Sequence, residues 1–175
     1  MSSALPSREQ AIELLRKNNC PPPVISHCIA VADLAVEIAN KLQRKGHRIN
    51  IELVEAGALL HDIGRSKIHT VDHAIVGAQM ANSMGLPEMV IKIIKRHVGA
   101  GITLEEAKEL GWPRDVYTPE TLEEKVVSYA DKLIGNSERV PIETEIKRLQ
   151  KKKKIQAAER VRKLHQEIAR LGNQP

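Results

Sequence analysis

The chain has 175 residues, of which 42% are hydrophobic and 28% charged, and its formal net charge is +5. These values are typical of one folded, soluble domain and exclude a disordered chain, which would be poorer in apolar residues. The longest uncharged apolar run is too short for a membrane span, the N-terminus has no signal-peptide core, and Cys20 and Cys28 make no disulfide framework. We therefore expect a cytoplasmic protein without membrane contact. Its three aromatic residues are too few for a base-stacking platform.

The positive charge is concentrated at one end of the sequence. Residues 147–175 hold ten basic and two acidic side chains, a net charge of +8, whereas the preceding residues hold 17 basic and 20 acidic ones, a net charge of −3. We therefore divide the chain into a mildly acidic domain over 1–140 and a basic helical extension over 141–175. We expect the extension to be separable from the chemistry of the domain and to turn away from it at Gly135–Pro141.

Apolar residues recur at helical spacing almost throughout, and turn residues punctuate them. Ser7 and Gln10 predict a capping box for a first helix, which is followed by a long second helix over 24–45. Further helices are predicted over 51–62 after an Asn50 N-cap, 73–84 after an Asp72 N-cap, 87–97, 103–111 with a Thr103–Glu106 capping box, 118–134, and beyond Pro141. No segment alternates with a period of two, so no sheet is predicted. The predicted fold class is all-α, a helical bundle with a basic C-terminal helical extension.

Six side chains that can ligate a metal lie near the ends or inner faces of these helices: His27, His61, Asp62, His73, His97 and Asp131. Each of them alone is most simply a hydrogen-bonded core residue or an ion-pair partner. Together they form an imidazole and carboxylate set suited to Fe, Mn, Co, Ni or Zn, and a carboxylate can bridge two ions. Two metals ~3.5–4 Å apart are an established device for phosphoester hydrolysis. We also expect Gly77, one turn after His73, to leave room for a bulky group.

The order of His27, His61–Asp62 and Asp131 resembles the HD superfamily of metal-dependent phosphohydrolases over about residues 24–135. Residues 61–64 read HDIG, the motif that names one subgroup. Three segments are similar to the bacterial HD-domain hydrolases of symmetrical diadenosine tetraphosphate: DHAIVGAQMA (72–81), KRHVGAGIT (95–103) and LEEKVVSYADKL (122–133). The chain is also similar to archaeal-type HDIG proteins.

This resemblance implies a dinuclear centre in which a bridging water or hydroxide attacks phosphorus directly. The ligands that it implies are His27, His61, Asp62 and Asp131 for one ion, and Asp62, His73 and His97 for the other. The cyclic-di-GMP phosphodiesterase subgroup carries a GYP motif that this sequence lacks, which disfavours that activity.

Three basic residues adjoin the candidate ligands and are the candidates for binding substrate phosphates: Arg65, Lys67 and Lys132. Asp62, Arg65 and Lys132 are the candidate catalytic residues; the alternative for the three basic ones is solvated surface charge. The similar hydrolases have lysine at the position of Arg65, and a guanidinium fork binds phosphate differently from a point charge. Trp112 or Tyr117 could stack on a base, although packing of a loop onto the core is the alternative for both and is preferred for Trp112.

Two functions remain open at this stage. The first is hydrolysis of a phosphoester or phosphoanhydride bond in a nucleotide or dinucleoside polyphosphate. The second is a non-catalytic metal-binding module whose basic segment, 147–163, contacts nucleic acid or another acidic partner. The KRLQKKKK run at 147–154 supports the second function, and the complete ligand set favours the first. The sequence fits a monomer or a homodimer equally.

Overall fold

We describe residues 4–173 of a computed structural model of the chain. The α-helices of this part, in chain order, are α1 (Arg8–Lys17), α2 (Pro22–Arg44), α3 (Ile51–Leu60), α4 (His73–Ser83), α5 (Glu88–Arg96), α6 (Leu104–Glu109), α7 (Leu122–Lys132), α8 (Ile142–Lys151) and α9 (Ile155–Asn173). Short 3-10 turns cover Ile63–Ser66 and Val98–Ala100. The predicted all-α class is confirmed. A hairpin of two-residue strands, β1 (Ile134–Gly135) and β2 (Glu138–Arg139), is the addition that the sequence did not predict, because two residues are too short to show alternation.

Polar side chains begin several helices where the sequence predicts them. Ser7 and Gln10 form the capping box of α1, and Thr103 and Glu106 form that of α6. The Asn50 side chain accepts a hydrogen bond from the backbone N–H of Leu53 at 3.0 Å and caps α3. Each of these contacts satisfies a backbone donor that would otherwise lack a partner at the helix start.

One predicted helix start and one predicted cap are wrong. The helix α4 does begin at His73, after Asp72, but the Asp72 side chain does not cap it and instead accepts a hydrogen bond from Trp112 Nε1 at 2.7 Å. The helix predicted from Thr118 begins at Leu122, with Thr121 as its N-cap. The segment before it is held extended, because the backbone N–H of Ile102 donates to the carbonyl of Tyr117 at 3.0 Å. The tertiary contact between Ile102 and Tyr117 therefore shifts the start of α7 towards the C-terminus.

The core is centred on α3, which is buried along most of its length and packs against α1, α2, α5 and α7. Close helix contact depends on Gly57, since a Cβ there would lie 2.4 Å from Cδ1 of Ile93 in α5. The two cysteines, Cys20 and Cys28, are free and buried in the same core. The consequence is a buried central helix whose C-cap residue, His61, is fully buried.

Among residues 4–173, one helix, α2, is long enough and apolar enough to cross a membrane. These two criteria do not distinguish a span from the core helix of a soluble protein. Within the fold, α2 packs against α3 and α7 and carries the charged residues Asp33 and Glu37.

The basic C-terminal helices are part of the same core. The Gly135–Pro141 region does not turn away from α7: the β1–β2 hairpin reverses the chain, so that α8 returns to the side of Asp131 and lines the same cavity. Six larger apolar side chains of α8 and α9 are buried: Ile142, Ile146, Leu149, Val161, Leu164 and Ile168. The extension was expected to be separable from the chemistry provided that its helix covers no core, and this condition is not met. The boundary at residue 140 stays a prediction.

Candidate metal centre

Helix ends bring the candidate ligands together. His61 is the C-cap of α3, and Asp62 follows it directly. His73 opens α4, and His97 comes immediately after α5. The remaining two candidates, His27 and Asp131, lie on α2 and in the last turn of α7, two helices that pack against each other. Four separate helix termini and one helix face thus converge on one point.

Backbone carbonyls orient three of the imidazoles. Nδ1 of His61 lies 2.6 Å from the carbonyl oxygen of Ala58. Nδ1 of His73 and Nδ1 of His97 each lie 2.7 Å from a carbonyl three residues earlier in the chain. Because a carbonyl only accepts, each Nδ1 carries a proton, and Nε2 is the ring atom left to ligate an ion at the centre. Metal-bound histidines are held in this way.

Asp131 lies between two histidines. Its Oδ1 is 3.0 Å from Nε2 of His27 and 3.4 Å from Nε2 of His61. One ligand atom from each of these three residues lies within 4.8 Å of the others, which is a distance compatible with a shared ion. Three of the four residues predicted for the first ion therefore lie together, while their role as ligands stays a prediction.

Asp62 lies at the junction of this set with the second one. Its Oδ1 is 2.9 Å from Nε2 of His73 and 3.4 Å from Nε2 of His97. Its Oδ2 is 3.7 Å from Nε2 of His61 and 3.9 Å from that of His27. His61, Asp62 and His97 form a second group whose ligand atoms all lie within 4.8 Å. The two Asp62 oxygens therefore face different histidine pairs, as a bridging carboxylate requires.

Two buried atoms of this cluster have no hydrogen-bond partner among residues 4–173, namely His61 Nε2 and Asp62 Oδ1. The carboxylate oxygen of Asp62 can only accept, and His61 Nε2 accepts when the single ring proton is on Nδ1. An unpaired buried carboxylate oxygen is costly, and a cation satisfies both atoms together. The residues present therefore fit a divalent metal.

Burial and neighbouring charges set the protonation of the cluster in opposite directions. Burial would raise the pKa of Asp62, but His61 and the two other facing histidines outweigh it and hold this pKa well below its usual range. Burial lowers the pKa of His97 to about 4, so its ring is neutral near pH 7. Burial alone would lower the pKa of His61, but the negative charge of Asp62 outweighs burial and holds this pKa well above its usual value. A metal ion bound to His61 would therefore displace a proton.

The glycines near the site serve close packing. A Cβ on Gly64 would lie 2.0 Å from the carbonyl oxygen of His73, and one on Gly77 would lie 3.1 Å from the backbone nitrogen of Gly64. The expectation that Gly77 leaves room for a bulky group is wrong, since the turn that carries Gly64 occupies this space. The two glycines let the turn after Asp62 approach α4 and place Asp62 beside His73.

Gly64→Ala is expected to lower the free energy of unfolding by about 1–3 kcal/mol, because the added methyl group meets rigid backbone. Thermal unfolding would measure this loss as a lower Tm. The control is Gly172→Ala in α9, where the new Cβ would lie 3.4 Å from the flexible side chain of Lys41. Equal Tm values for the two variants would contradict the packing role of Gly64.

The basic candidates occupy different positions. Arg65 donates from Nε to Asp62 Oδ2 at 2.7 Å and lines the cavity above the cluster. Lys132 lines it as well, is 8% exposed, forms an ion pair with Asp131 and donates to the carbonyl oxygen of His97 at 3.3 Å. Lys67 is exposed and does not line this cavity, so its role in substrate binding stays a prediction.

Sequence reasoning missed three side chains of α8 that line the same cavity: Thr144, Glu145 and Arg148. Arg148 binds Glu145 through two hydrogen bonds of 2.6 and 2.7 Å. The cavity has a volume of about 340 Å³, within the range of small-ligand sites. The sequence did contain a signal, since these three polar residues lie away from the apolar face of α8. What the sequence did not show is that the β1–β2 hairpin brings this helix over the metal cluster.

The two aromatic candidates for base stacking are packing residues. Trp112 and Tyr117 meet edge to face at 5.0 Å between ring centroids and form a small core with Ala74 and Ala107. The Tyr117 hydroxyl donates to the carbonyl oxygen of Pro113 at 2.7 Å. Packing onto the core, the alternative stated for both, is what the structure shows.

Comparison with known proteins agrees with this site. The HD domain family matches residues 24–136. The uncharacterized protein MJ0778 of Methanocaldococcus jannaschii is 47% identical over 144 residues, which are 82% of this chain and 85% of that protein. The tRNA (cytidine(56)-2'-O)-methyltransferase of Thermoplasma volcanium is 41% identical over 92% of this chain but only 46% of its own length. Ribonuclease Y of Acidothermus cellulolyticus is 31% identical over 77% of this chain and 24% of its own length.

A solved structure shares the fold. The HD domain of the L. monocytogenes phosphodiesterase PgpH, in complex with cyclic-di-AMP, superposes with a TM-score of 0.58 and 23% identity, over 91% of this chain and 95% of that one. The family match covers more than half of this chain and includes His27, His61–Asp62 and Asp131. The chain therefore belongs to the HD domain family.

Proposed function

We propose that the protein is a metal-dependent phosphohydrolase that cleaves a phosphoester or phosphoanhydride bond of a nucleotide. One observation carries the proposal: two His/Asp groups share His61, direct their ligand atoms to a common centre and adjoin a cavity that basic side chains also line. A purely structural metal site would not need a cavity of this kind over its ligands.

Different residues of the chain would hold the two metal ions. His27, His61, Asp62 and Asp131 would hold one divalent ion, and Asp62, His73 and His97 a second. The ions would supply a water nucleophile active at neutral pH and would neutralise charge on the phosphate oxygens.

Arg65 and Lys132 complete the site. The Arg65 guanidinium uses Nε on Asp62, and no acceptor among residues 4–173 binds its Nη2, which is free to bind a phosphate oxygen. Lys132 neutralises and orients Asp131 through their ion pair. An ammonium has three donors, so one of those on Lys132 remains for substrate.

The names of two similar proteins support a nucleotide substrate. A ribonuclease shares this domain, and the PgpH domain binds cyclic-di-AMP. Dinucleoside polyphosphates, suggested by the sequence resemblance, remain candidates. The methyltransferase and ribonuclease relatives extend well beyond the matched segment, and we do not assign methyl transfer to this chain.

The second candidate function is a metal-binding module without turnover. The exposed lysines 151–154 at the α8–α9 corner favour a contact with an acidic partner in either case. The two functions differ in whether a phosphate bond is broken.

A substrate screen tests the proposal. The full chain, reconstituted separately with Mn²⁺, Fe²⁺ and Co²⁺, is incubated with mononucleotides, cyclic nucleotides, linear and cyclic dinucleotides, diadenosine tetraphosphate and short RNA, and the products are separated by chromatography. Metal-dependent turnover of at least one class is expected. Metal bound at near-stoichiometric content with no turnover of any class would favour the second function.

A further inference from the structure

We propose that a second groove, between α6 and the α8–α9 corner, binds the phosphodiester backbone of a single-stranded oligonucleotide beyond the bond cut at the metal centre. We name it the basic groove and define it by Arg148, Lys153, Lys154, Leu110 and Ile155. This inference rests on the proposed function and names a substrate class for it: a linear strand longer than a dinucleotide.

The basic groove is continuous with the active-site cavity. Val98, Gly99 and Arg148 line both spaces. The groove has a volume of about 1030 Å³, against about 340 Å³ for the cavity. The cavity alone is at the lower end of the range for small-ligand sites. A ligand held at the metal centre therefore has a larger, connected space into which it can extend.

The charges of the groove are separated between its two walls. Lys153 and Lys154 have no carboxylate within ion-pair distance among residues 4–173, whereas Arg160 nearby is paired with Glu106 at 2.8 Å. The α6 wall carries Glu105, Glu106 and Glu109. Phosphates would therefore follow the α8–α9 wall and its two lysines, and the other wall would face sugars and bases. Arg148 lies at the junction with the cavity, and its guanidinium also binds Glu145.

Lys153 occupies a backbone position that favours glycine. Its φ is +58°, and its N–H donates to the carbonyl of Gln150 at 2.9 Å, while the N–H of Lys154 donates to that of Leu149 at 2.9 Å. This is the hydrogen-bond pattern of a Schellman motif, whose left-handed residue is most often glycine. A lysine at this position adds backbone strain and contributes a charge at the groove, which is consistent with a role for the charge.

The expected mode of binding is contact with the backbone. Trp112 and Tyr117 are packed in the core and do not line the groove, and its exposed apolar side chains, Leu110 and Ile155, are aliphatic. Affinity should therefore depend little on sequence and strongly on salt, with a slope of about −0.7 in log K against log salt for each phosphate contacted on a single strand.

The test compares two pairs of lysines in the full-length protein. Lys153→Gly with Lys154→Ala removes two charges from the groove, whereas Lys151→Ala with Lys152→Ala removes two exposed charges that do not line it. Binding of fluorescein-labelled U12 is measured by anisotropy in chelator, so that no cleavage occurs. Hydrolysis of U12 and of UpU is then measured with metal-loaded protein.

Loss of the two groove lysines should weaken U12 binding about tenfold at low salt and reduce the salt slope by about 1.4. It should lower the ratio of kcat/KM for U12 to that for UpU by a similar factor. The control pair should change each quantity less than twofold. Lys153→Gly alone should keep or raise the Tm while weakening U12 binding, which separates a role in binding from a role in folding.

Several outcomes would overturn the groove assignment. The first is an equal loss of U12 affinity for the two lysine pairs. The second is an equal kcat/KM for U12 and UpU in the unmodified protein. The third is displacement of labelled U12 by a poly-glutamate peptide as readily as by unlabelled U12. Length-dependent binding that needs Lys153, without hydrolysis of either substrate, would support the groove and refute the proposed hydrolysis. The same binding measurement with dT12 shows whether the groove distinguishes deoxyribose from ribose.

Discussion

Asp62→Asn is expected to reduce phosphate-bond hydrolysis on the order of 10³-fold or more, because several kcal/mol of metal-derived stabilisation would be lost at ~1.4 kcal/mol per tenfold. The two oxygens of Asp62 face different histidine pairs, and Asn offers only one neutral oxygen with an amide in place of the other. Metal content should fall along with turnover. Near-native circular dichroism is expected, since Asn keeps the shape of the side chain.

The matched control is Asp115→Asn, an aspartate paired with Lys95 outside the metal cluster. This variant should keep its metal and its turnover within about twofold, because surface ion pairs contribute little. Full turnover in Asp62→Asn would contradict the assignment of Asp62 to the metal centre. Loss of the helical circular dichroism signal would instead show that Asp62 is needed for folding.

A chain ending at Val140 is expected not to fold stably. The six larger buried side chains of α8 and α9 contribute about 9 kcal/mol at the lower limit of ~1.5 kcal/mol each, against a total stability of about 5–15 kcal/mol. Their removal would also expose the core surface that they cover. Circular dichroism and urea titration would show weakened helix content and no cooperative transition.

A matched pair of substitutions in α9 tests the same point without truncation. Ile168 is 5% exposed, whereas Ile155 is 60% exposed. Ile168→Ala should cost about 2–4 kcal/mol of unfolding free energy and Ile155→Ala less than about 0.5 kcal/mol. A cooperatively folding chain that ends at Val140, or equal costs for the two substitutions, would show that the extension is dispensable after all.

Local signals predicted much of the fold and singled out the six candidate ligands. Helix α1 begins at its capping box, and α3 begins at Asn50, because a cap acts within one turn. The ligands could be proposed because the six imidazoles and carboxylates together suit a metal and because their order resembles that of the HD superfamily. The structure assembles all six candidates around Asp62, although their roles in catalysis remain predictions.

Other features depend on contacts between distant residues, which sequence patterns do not encode. Thr118 does not start a helix because Tyr117 is held by Ile102. The return of α8 over the cavity depends on a hairpin of two-residue strands, and so Arg148 could not be assigned to the site. The space beside Gly77 is filled by the turn that carries Gly64, a neighbour that only the fold reveals.

The most direct test of the central claim is a metal titration of metal-depleted protein, in which hydrolysis of the best substrate from the screen and the bound metal are followed together. The unmodified chain is expected to be inactive in chelator and to reach full activity as bound metal approaches two ions per chain. His73→Ala, which removes an imidazole 2.9 Å from Asp62, should bind about one ion and stay below a tenth of that activity. Full turnover in chelator would contradict the metal-dependent mechanism, and unchanged metal content and activity in His73→Ala would contradict the two-ion centre.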